Sequence, residues 1–552
     1  MSNNPNPSIP SPTAPTWQNW SGNLVHHPAS DGVRYYFTPT SLTELQQVLI
    51  DAKAAGVTVR VSGQRHSQPP LVVEDNRGGT QQTTKTYLID MSCYADLGTH
   101  HDQRMVLGPG KNQVTANAGV REDELDAFLT QNKLMLKTVT AGGFFSLGGM
   151  TAVDVHGATL GAPIFAETVS AFTILLADGK LMTIDAQSPA VDGWSPVQFA
   201  RVSLGGLGIV TSMTIDVLER LHPTTLQGGS HEYVIQDKSS FIAKFKTIVT
   251  SHDRVETFFT PYANMWEGKA SNQPSILVLW WDVVQDPAST TSNEPPKPPD
   301  NTCVLASKQE FGAPYLTGIA TYGAEIAQGA QLASSPIVYF PLGAAAMTAI
   351  ATFKVIAPDV AVANQSHSDL WLTGAVRVIF MSYYIPLPDL EDAGLGIAWD
   401  GLDVVSQIVT KYGNFHIAAP MEFRFVKGGN SAMSGTCIED PKYPVFLNLD
   451  LIGFVEKEVA SKYPDRLLQF FADVERQWVE MGGFPHNGKM YGFYDPTEAP
   501  GTYSKTGPFN PNFLSNLRTR RGVRLVAFNT YRKSLDPSGL FFNDFLRKLL
   551  ES

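Results

Sequence analysis

Arg60-Val61-Ser62-Gly63-Gln64-Arg65-His66-Ser67 puts a histidine at the tip of a loop that follows a strand-like run directly. Small residues at such a place let successive backbone amides curl around a diphosphate, and an imidazole at the tip can be alkylated by an activated ring methyl. An ordinary histidine in an exposed loop reads the same way when taken alone. A second run, Ala141-Gly142-Gly143-Phe144-Phe145-Ser146-Leu147-Gly148-Gly149-Met150, leads into Asp154-Val155-His156-Gly157. Paired glycines are costly unless backbone must approach something closely. Gly-x-Gly-x-x-Gly is absent, so phosphates would be bound by loops and not by a dinucleotide turn. His156 reads equally well as a packing residue. A third Gly-rich run, Ser203-Leu204-Gly205-Gly206-Leu207-Gly208-Ile209-Val210-Thr211, enters a strand and alone marks only a tight turn.

Near the other end, Pro420-Met421-Glu422-Phe423-Arg424 has strand alternation, which places Glu422 and Arg424 on one face. An acid beside a guanidinium suits catalysis. The cation holds the carboxylate ionised as a base and donates to developing negative charge. The alternative is a structural ion pair.

The elements that must position these residues alternate between strand and helix from about Trp17 to Glu219. Ser41-Leu42-Thr43-Glu44 predicts a capping box, Leu42, Leu45, Val48, Leu49 and Ala52 recur at helical spacing, and Gly56 supplies a left-handed stop. Val57, Val59 and Val61 predict a short strand, as do Tyr87–Ile89, Val114–Ala116, Phe172–Leu176 and Ile209–Val217, with helices over Glu122–Thr130 and Phe541–Leu550. The middle differs in texture. Asn293–Asp300 is Pro-rich, and only Glu325, Lys354 and Asp359 are charged between Phe311 and Ala363. Pro336 and Pro341 interrupt the uncharged stretch Leu332–Phe353, so a buried core or pocket wall is expected there, not a membrane span. The reading divides the chain into a flexible N-terminus (1–16), a cofactor domain (17–219), a cap (220–482) and a returning segment (483–552).

A chain of 552 residues exceeds one ordinary core. Its net charge of −11, without a basic cluster, argues against a nucleic-acid partner. Three cysteines cannot make a disulfide framework, and their spacing fits no metal motif. Low cysteine usage suits a cytoplasmic protein, and secretion with a leader removed stays open.

The order and spacing of these motifs resemble the vanillyl-alcohol-oxidase superfamily (PCMH-type FAD-linked oxidoreductases) over nearly the whole chain. The resemblance implies an α+β fold: a two-part FAD-binding domain and a substrate cap whose antiparallel sheet is flanked by helices. It also implies FAD bonded through its 8α carbon to His66. Val61–Ser67, Gly142, Gly143, Ser146, Gly148, Gly149, Val153, His156, Gly157, Gly206, Gly208, Ile209 and Val210 would hold the cofactor. No cysteine lies near Gly161-Ala162-Pro163, where some relatives form a second link, so a single link is expected. Phe484-Pro485-His486-Asn487-Gly488-Lys489 is similar to a His-Trp-x-Lys segment of aldonolactone and alditol oxidases, with Asn487 in place of Trp. It implies positive charge from Lys489 near the reducing flavin. Asp536–Asn543 resembles the family's closing segment, which assigns Asn543 to the cofactor domain.

The nearest subgroup is the covalently flavinylated type II cholesterol oxidases. The subgroup's lid glutamate has no counterpart in Phe258–Trp266, and Asp450 stands where an Asn is expected. The resemblance therefore implies an oxidase that passes an alcohol's proton to Glu422 or Asp450 and its hydride to flavin, then reduces oxygen to peroxide. An apolar, sterol-like substrate is expected first. Asp450 should bond Arg424 or be protonated. A polyol or aldonolactone oxidase is the alternative, favoured by a richly polar pocket, as is a dehydrogenase with another acceptor. The expected partners are a small-molecule alcohol and oxygen, without stable membrane insertion.

Overall fold

A computed structural model describes residues 15–77, 81–140, 143–220, 224–261, 274–285, 303, 378–412, 415, 417, 420–454 and 463–551. Three sheets carry the site. A parallel sheet runs in the order Tyr36–Phe37, Thr86–Ile89, Thr58–Val61. A five-stranded antiparallel sheet runs Leu181–Ile184, Val169–Leu175, Ile209–Asp216, Gln113–Asn117, Met105–Leu107. Together these are the two parts of the expected cofactor domain. The cap is a seven-stranded antiparallel sheet: Thr224–Val234, Ser275–Gln285, Arg254–Thr260, Met421–Lys427, Val445–Phe454, Val378–Leu387, Phe484–Pro485. Its last strand comes from the segment read as returning to the cofactor domain, so the returning chain first completes the cap.

Helices cover the cap sheet as the α+β reading requires. Phe245 of Lys238–Ser251 packs on Phe423 with ring centroids 5.6 Å apart. Trp478 of Asp465–Glu480 donates from its indole to Gly401 O of Asp392–Tyr412 at 2.9 Å. One apolar cluster runs from Leu125 and Phe172 to Leu449 and Phe545, so the cofactor domain and the cap share a core.

Local chemistry sets the element ends. Ser41 caps Leu42–Ala55 by accepting from Glu44 N, and Gly56 ends it at φ 67°. The Glu44 carboxylate reaches one residue further back than a capping box requires, to Thr40 N at 2.8 Å. The last helix, expected from Phe541, begins at Asp544 because the Asn543 side chain accepts from Leu546 N. Cys93 and Cys303 form a disulfide across 210 residues, with Cα atoms 5.1 Å apart. One bond is not a framework, but it bears against the reading of low cysteine usage as the mark of a reducing compartment. No described helix is long and apolar enough to cross a membrane. Residues 1–14, Asn293–Asp300, Phe311–Ala363 and Leu332–Phe353 lie outside the described residues, and so do the readings placed on them.

Candidate active site

The Thr58–Val61 strand delivers the His66 loop to one wall of a large cavity, and Arg65 turns it at φ 60°. An N-terminal strap also holds the loop. The Trp17 indole donates to Ser62 Oγ at 2.8 Å and Trp20 N donates to Arg65 O at 2.7 Å. Asn19 Nδ2 donates to Ser67 O at 3.0 Å and Asn23 Nδ2 to Gln68 O at 2.9 Å. The His66 ring sits between Trp20 and Phe145, with centroids 4.8 and 4.9 Å away. Burial, reinforced by the Lys489 charge, pushes its pKa well below the usual value, so the imidazole is neutral. Its Nδ1 is buried without a hydrogen-bond partner among the described residues, as are both polar atoms of the Gln64 amide. Buried polar atoms are seldom left so. Orphan donors and acceptors on the wall of a cavity fit a large polar cofactor.

The glycine runs meet the same wall. A Cβ on Gly63 would fall 2.3 Å from Ser146 Oγ, so the first and second motifs touch only because that side chain is missing. A Cβ on Gly148 would fall 3.0 Å from Ala118 Cβ, and one on Gly149 3.1 Å from Ser146 Oγ. Glu122 is buried beneath the second run, accepts from Thr140 N at 2.7 Å and from Thr140 Oγ1, and is pushed up to about 7 by burial. In the third run, Val202, Leu204 and Gly205 are all left-handed, at φ 54°, 56° and 68°. Such a backbone is strained for a β-branched residue. Gly208 is at φ 147° and packs on Ile174.

Arg60, buried, joins the pieces. It donates to Leu71 O at 2.7 Å, Leu204 O at 2.6 Å, Gly205 O at 2.9 Å and Phe541 O at 2.6 Å. Burial lowers its pKa to about 10.

Of the expected cofactor residues, Val61, Ser62, Gly63, Gln64, Arg65, His66, Ser67, Ser146, Gly148, Gly149, Val153, His156, Gly208, Ile209 and Val210 line the cavity. Gly143, Gly157, Gly206 and Asn543 do not. Gly143, at φ 64°, presents its carbonyl to Asp123 N. Gly157 is pressed on Val139 O and Gly206 on the Phe542 ring. Asn543 donates to Pro70 O at 3.0 Å as well as capping the last helix, so it ties the C-terminal segment to the His66 side without facing the cavity. Gly142 lies outside the described residues.

The cavity lining also carries a charged group of residues. Glu422, Arg424, Asp450 and Lys489 all line the cavity, with Glu256, His156 and His486. Strand register sets Glu422 directly across from Asp450 and Arg424 across from Asn448. Thr257 pairs with Phe423, which brings Glu256 beside Arg424. Arg424 Nη2 is 2.6 Å from Glu256 Oε1 and contacts Glu422 Oε1. Burial works to lower the Arg424 pKa, but Glu256 and Glu422 outweigh it, so the guanidinium stays charged. Asp450 accepts from Asn448 Nδ2 at 3.5 Å, while the Arg424 ion pairs are with Glu256 and Glu422. The expected Asp450–Arg424 bond is therefore replaced by a pair with Glu256. Lys489 is no surface lysine. Its Nζ sits 4.0 Å from the Phe380 ring centroid, and burial lowers its pKa. Asn487 earns its place through Asp154, which accepts from Asn487 N at 2.8 Å and Nδ2 at 2.6 Å, and so fixes the turn from His486 to Lys489. Burial pushes His156 down to about 4 and His486 well below the usual value, so both are neutral.

Sequence reasoning missed Glu256, Trp20 and Arg60. Glu256 was within reach. It lies two residues before the stretch read as acid-free, and on the strand Arg254–Thr260 alternation puts it on the face of Phe258.

Comparison with known proteins agrees with this geometry. Residues 33–185 match the family model described as an FAD binding domain, and residues 345–549 match the model described as D-arabinono-1,4-lactone oxidase. The D-arabinono-1,4-lactone oxidase of Yarrowia lipolytica is 23% identical over 260 residues, 46% of this chain and 44% of that protein. The L-gulonolactone oxidase of Bos taurus is 27% identical over 277 residues, 50% of this chain and 53% of that protein. The chain thus spans about half the length of the curated relatives it matches. Among solved structures, cholesterol oxidase from B. sterolicum superposes with TM-score 0.69 at 17% identity, covering 100% of both chains. Xylooligosaccharide oxidase from Myceliophthora thermophila C1 superposes with TM-score 0.51 at 13% identity, covering 95% and 92%. At such identities the superpositions speak for the fold alone. The FAD-binding-domain match, the lactone-oxidase match over 345–549 and this fold together place the chain in the vanillyl-alcohol-oxidase (PCMH-type) superfamily of FAD-linked oxidoreductases.

Proposed function

We propose that the protein is an FAD-dependent oxidase. It takes a hydride from a hydroxyl-bearing carbon of a polyhydroxylated small molecule of the aldonolactone or polyol class, and it reduces oxygen to hydrogen peroxide. The FAD is tethered by a single link to His66. The observation that carries the substrate class is the charged wall formed by Glu256, Glu422, Arg424, Asp450 and Lys489. An apolar ring system laid on it would strip water from charges without replacing their hydrogen bonds, at a cost of several kcal/mol. A substrate with several hydroxyls replaces them. The lactone-oxidase match over 345–549 supports the same class. This reverses the first expectation of a sterol, which rested on the resemblance to type II cholesterol oxidases and on the charge-poor Phe311–Ala363; that segment lies outside the described residues.

When bound, the flavin supplies a two-electron acceptor for the hydride. The chain's own residues do the rest. The Val61–Ser67 loop and the glycine runs bind the cofactor, and the neutral His66 imidazole offers a nucleophile. Glu422 takes the proton of the reacting hydroxyl. Arg424, held charged by Glu256, fixes the position of Glu422 and offers a donor to negative charge developing on the substrate oxygen. Lys489 contributes a second positive charge on the same wall. The Cys93–Cys303 bond supports work in an oxidising compartment, the secreted arm of the earlier expectation.

The test is peroxide release from sugar lactones, polyols, long-chain alcohols and cholesterol side by side. Release confined to lactones and polyols is expected. Release from cholesterol alone would overturn the substrate class. Substrate-dependent reduction of a dye without peroxide would replace oxygen by another acceptor.

A further inference from the structure

The surroundings of His66 hold a device that the catalytic reading does not use. The imidazole lies between two aromatic rings, and only one of them faces the cavity. Phe145 lines it, as His66 does, whereas Trp20 packs on His66 from outside the lining. Its own position is fixed twice. The backbone bond from Trp20 N to Arg65 O ties it to the loop that carries His66, and its ring stacks on Phe380 at 6.1 Å and 30°. The strap that presents it is bound to the loop at Ser62, Ser67 and Gln68 as well. Meanwhile His66 Nδ1 has no hydrogen-bond partner among the described residues to set the ring's direction. In many sites a carboxylate or carbonyl on one ring nitrogen aims the other. Here the two tilted ring contacts, with Trp20 and Phe145, remain to do it.

We propose that Trp20 is a positioning residue for covalent attachment of the flavin, holding the His66 ring in the attitude from which it bonds the cofactor; the inference rests on the His66 linkage proposed above. Attachment forms one N–C bond to the ring methyl. The imidazole proton and one methyl hydrogen stay on the ring system as its two-electron reduced form. Oxygen, the oxidant of the proposed reaction, removes both as hydrogen peroxide. A reaction of this kind is sensitive to orientation, since a displacement of about 1 Å can cost on the order of a hundredfold.

The experiment follows two quantities in the full-length protein, prepared from cells grown on limiting riboflavin and then given excess FAD. One is total flavin per chain. The other is the rate at which flavin becomes acid-precipitable. Trp20→Leu keeps an apolar side chain but removes the ring, and Trp20→Phe keeps a ring. Trp20→Leu is expected to bind FAD to within about twofold of the wild type and to attach it roughly tenfold or more slowly. Trp20→Phe is expected to recover most of the rate. Attachment at the wild-type rate in Trp20→Leu would overturn the proposal. So would a loss of total flavin in proportion to attached flavin in both variants, which would make the strap a structural support. His66→Ala separates the two levels: acid-precipitable flavin in that variant, or none in the wild type, would remove the linkage itself.

Discussion

Glu256 and Arg424, 168 residues apart in sequence, meet at 2.6 Å on adjacent strands, and Glu422 shares the same guanidinium nitrogen. Asp450 faces Glu422 across the next pair of strands. Arg424 is thus ion-paired with two of these three carboxylates, and Lys489 is a second cation on the same wall of the cavity. The consequence is an asymmetry. Arg424→Met leaves those carboxylates together and is expected to destabilise by about 3–5 kcal/mol, as when a buried pair loses one partner. Glu256→Gln leaves Arg424 paired with Glu422 and should cost clearly less. Denaturant unfolding of the two variants at neutral pH measures the difference, and equal losses would contradict the arrangement.

Glu422 is expected to serve turnover and not folding. Glu422→Gln should retain fold and flavin content but slow anaerobic flavin reduction by on the order of 10²–10⁴-fold, the usual range for loss of a general base. Stopped-flow reduction at the wild-type rate would assign the proton to another group, with Asp450 next in line.

His156 makes stability depend on pH. Its pKa falls from 6.5 when free to about 4 in the fold, through burial first and the Arg424 charge second. Between these values the unfolded chain binds the proton and the native chain does not. Stability from this residue is therefore complete above 6.5 and is lost as pH falls towards 4, up to about 3 kcal/mol. Replacing it by His156→Gln removes the dependence. The stability of wild type relative to the variant should decline between pH 7 and pH 4, and a gap constant over that range would refute the burial of a neutral imidazole.

Cysteine titration gives a sharp check on the cross-link. The sequence has three cysteines, Cys93 and Cys303 are bonded, and Cys437 is buried. Native protein should show no reactive thiol, denatured protein one, and reduced denatured protein three. Cys93→Ser opens a very long loop and is expected to lower stability by about 2–5 kcal/mol.

How much of this was legible in the sequence depended on distance along the chain. The His66 loop, Gly63 and the Glu422–Arg424 pair are local patterns, and alternation alone placed the last two on one face. Glu256 escaped because its meaning lies in the strand beside it. It becomes visible only when Thr257 is set against Phe423. Trp20 and Arg60 escaped for the same reason, since their partners come from distant segments. Glycine spacing marked close approach correctly but not its object: Gly63 approaches Ser146 at the cavity, whereas Gly206 and Gly157 approach a ring and a carbonyl elsewhere. Asn543 carries a family motif, yet its side chain works as a helix cap. The Cys93–Cys303 bond was hidden by its separation of 210 residues.

The guanidinium of Arg60 donates to Phe541 O across 481 positions of sequence. The same side chain also supports Leu204 and Gly205, so this part of the cavity wall is finished only when Phe541 arrives. During synthesis at roughly 5–20 residues per second, that leaves on the order of half a minute to a minute and a half between the emergence of Arg60 and that of its partner. Through that interval the nascent chain exposes a glycine-rich, half-supported bed. A chain that stops short of Phe541 lacks that support of the bed.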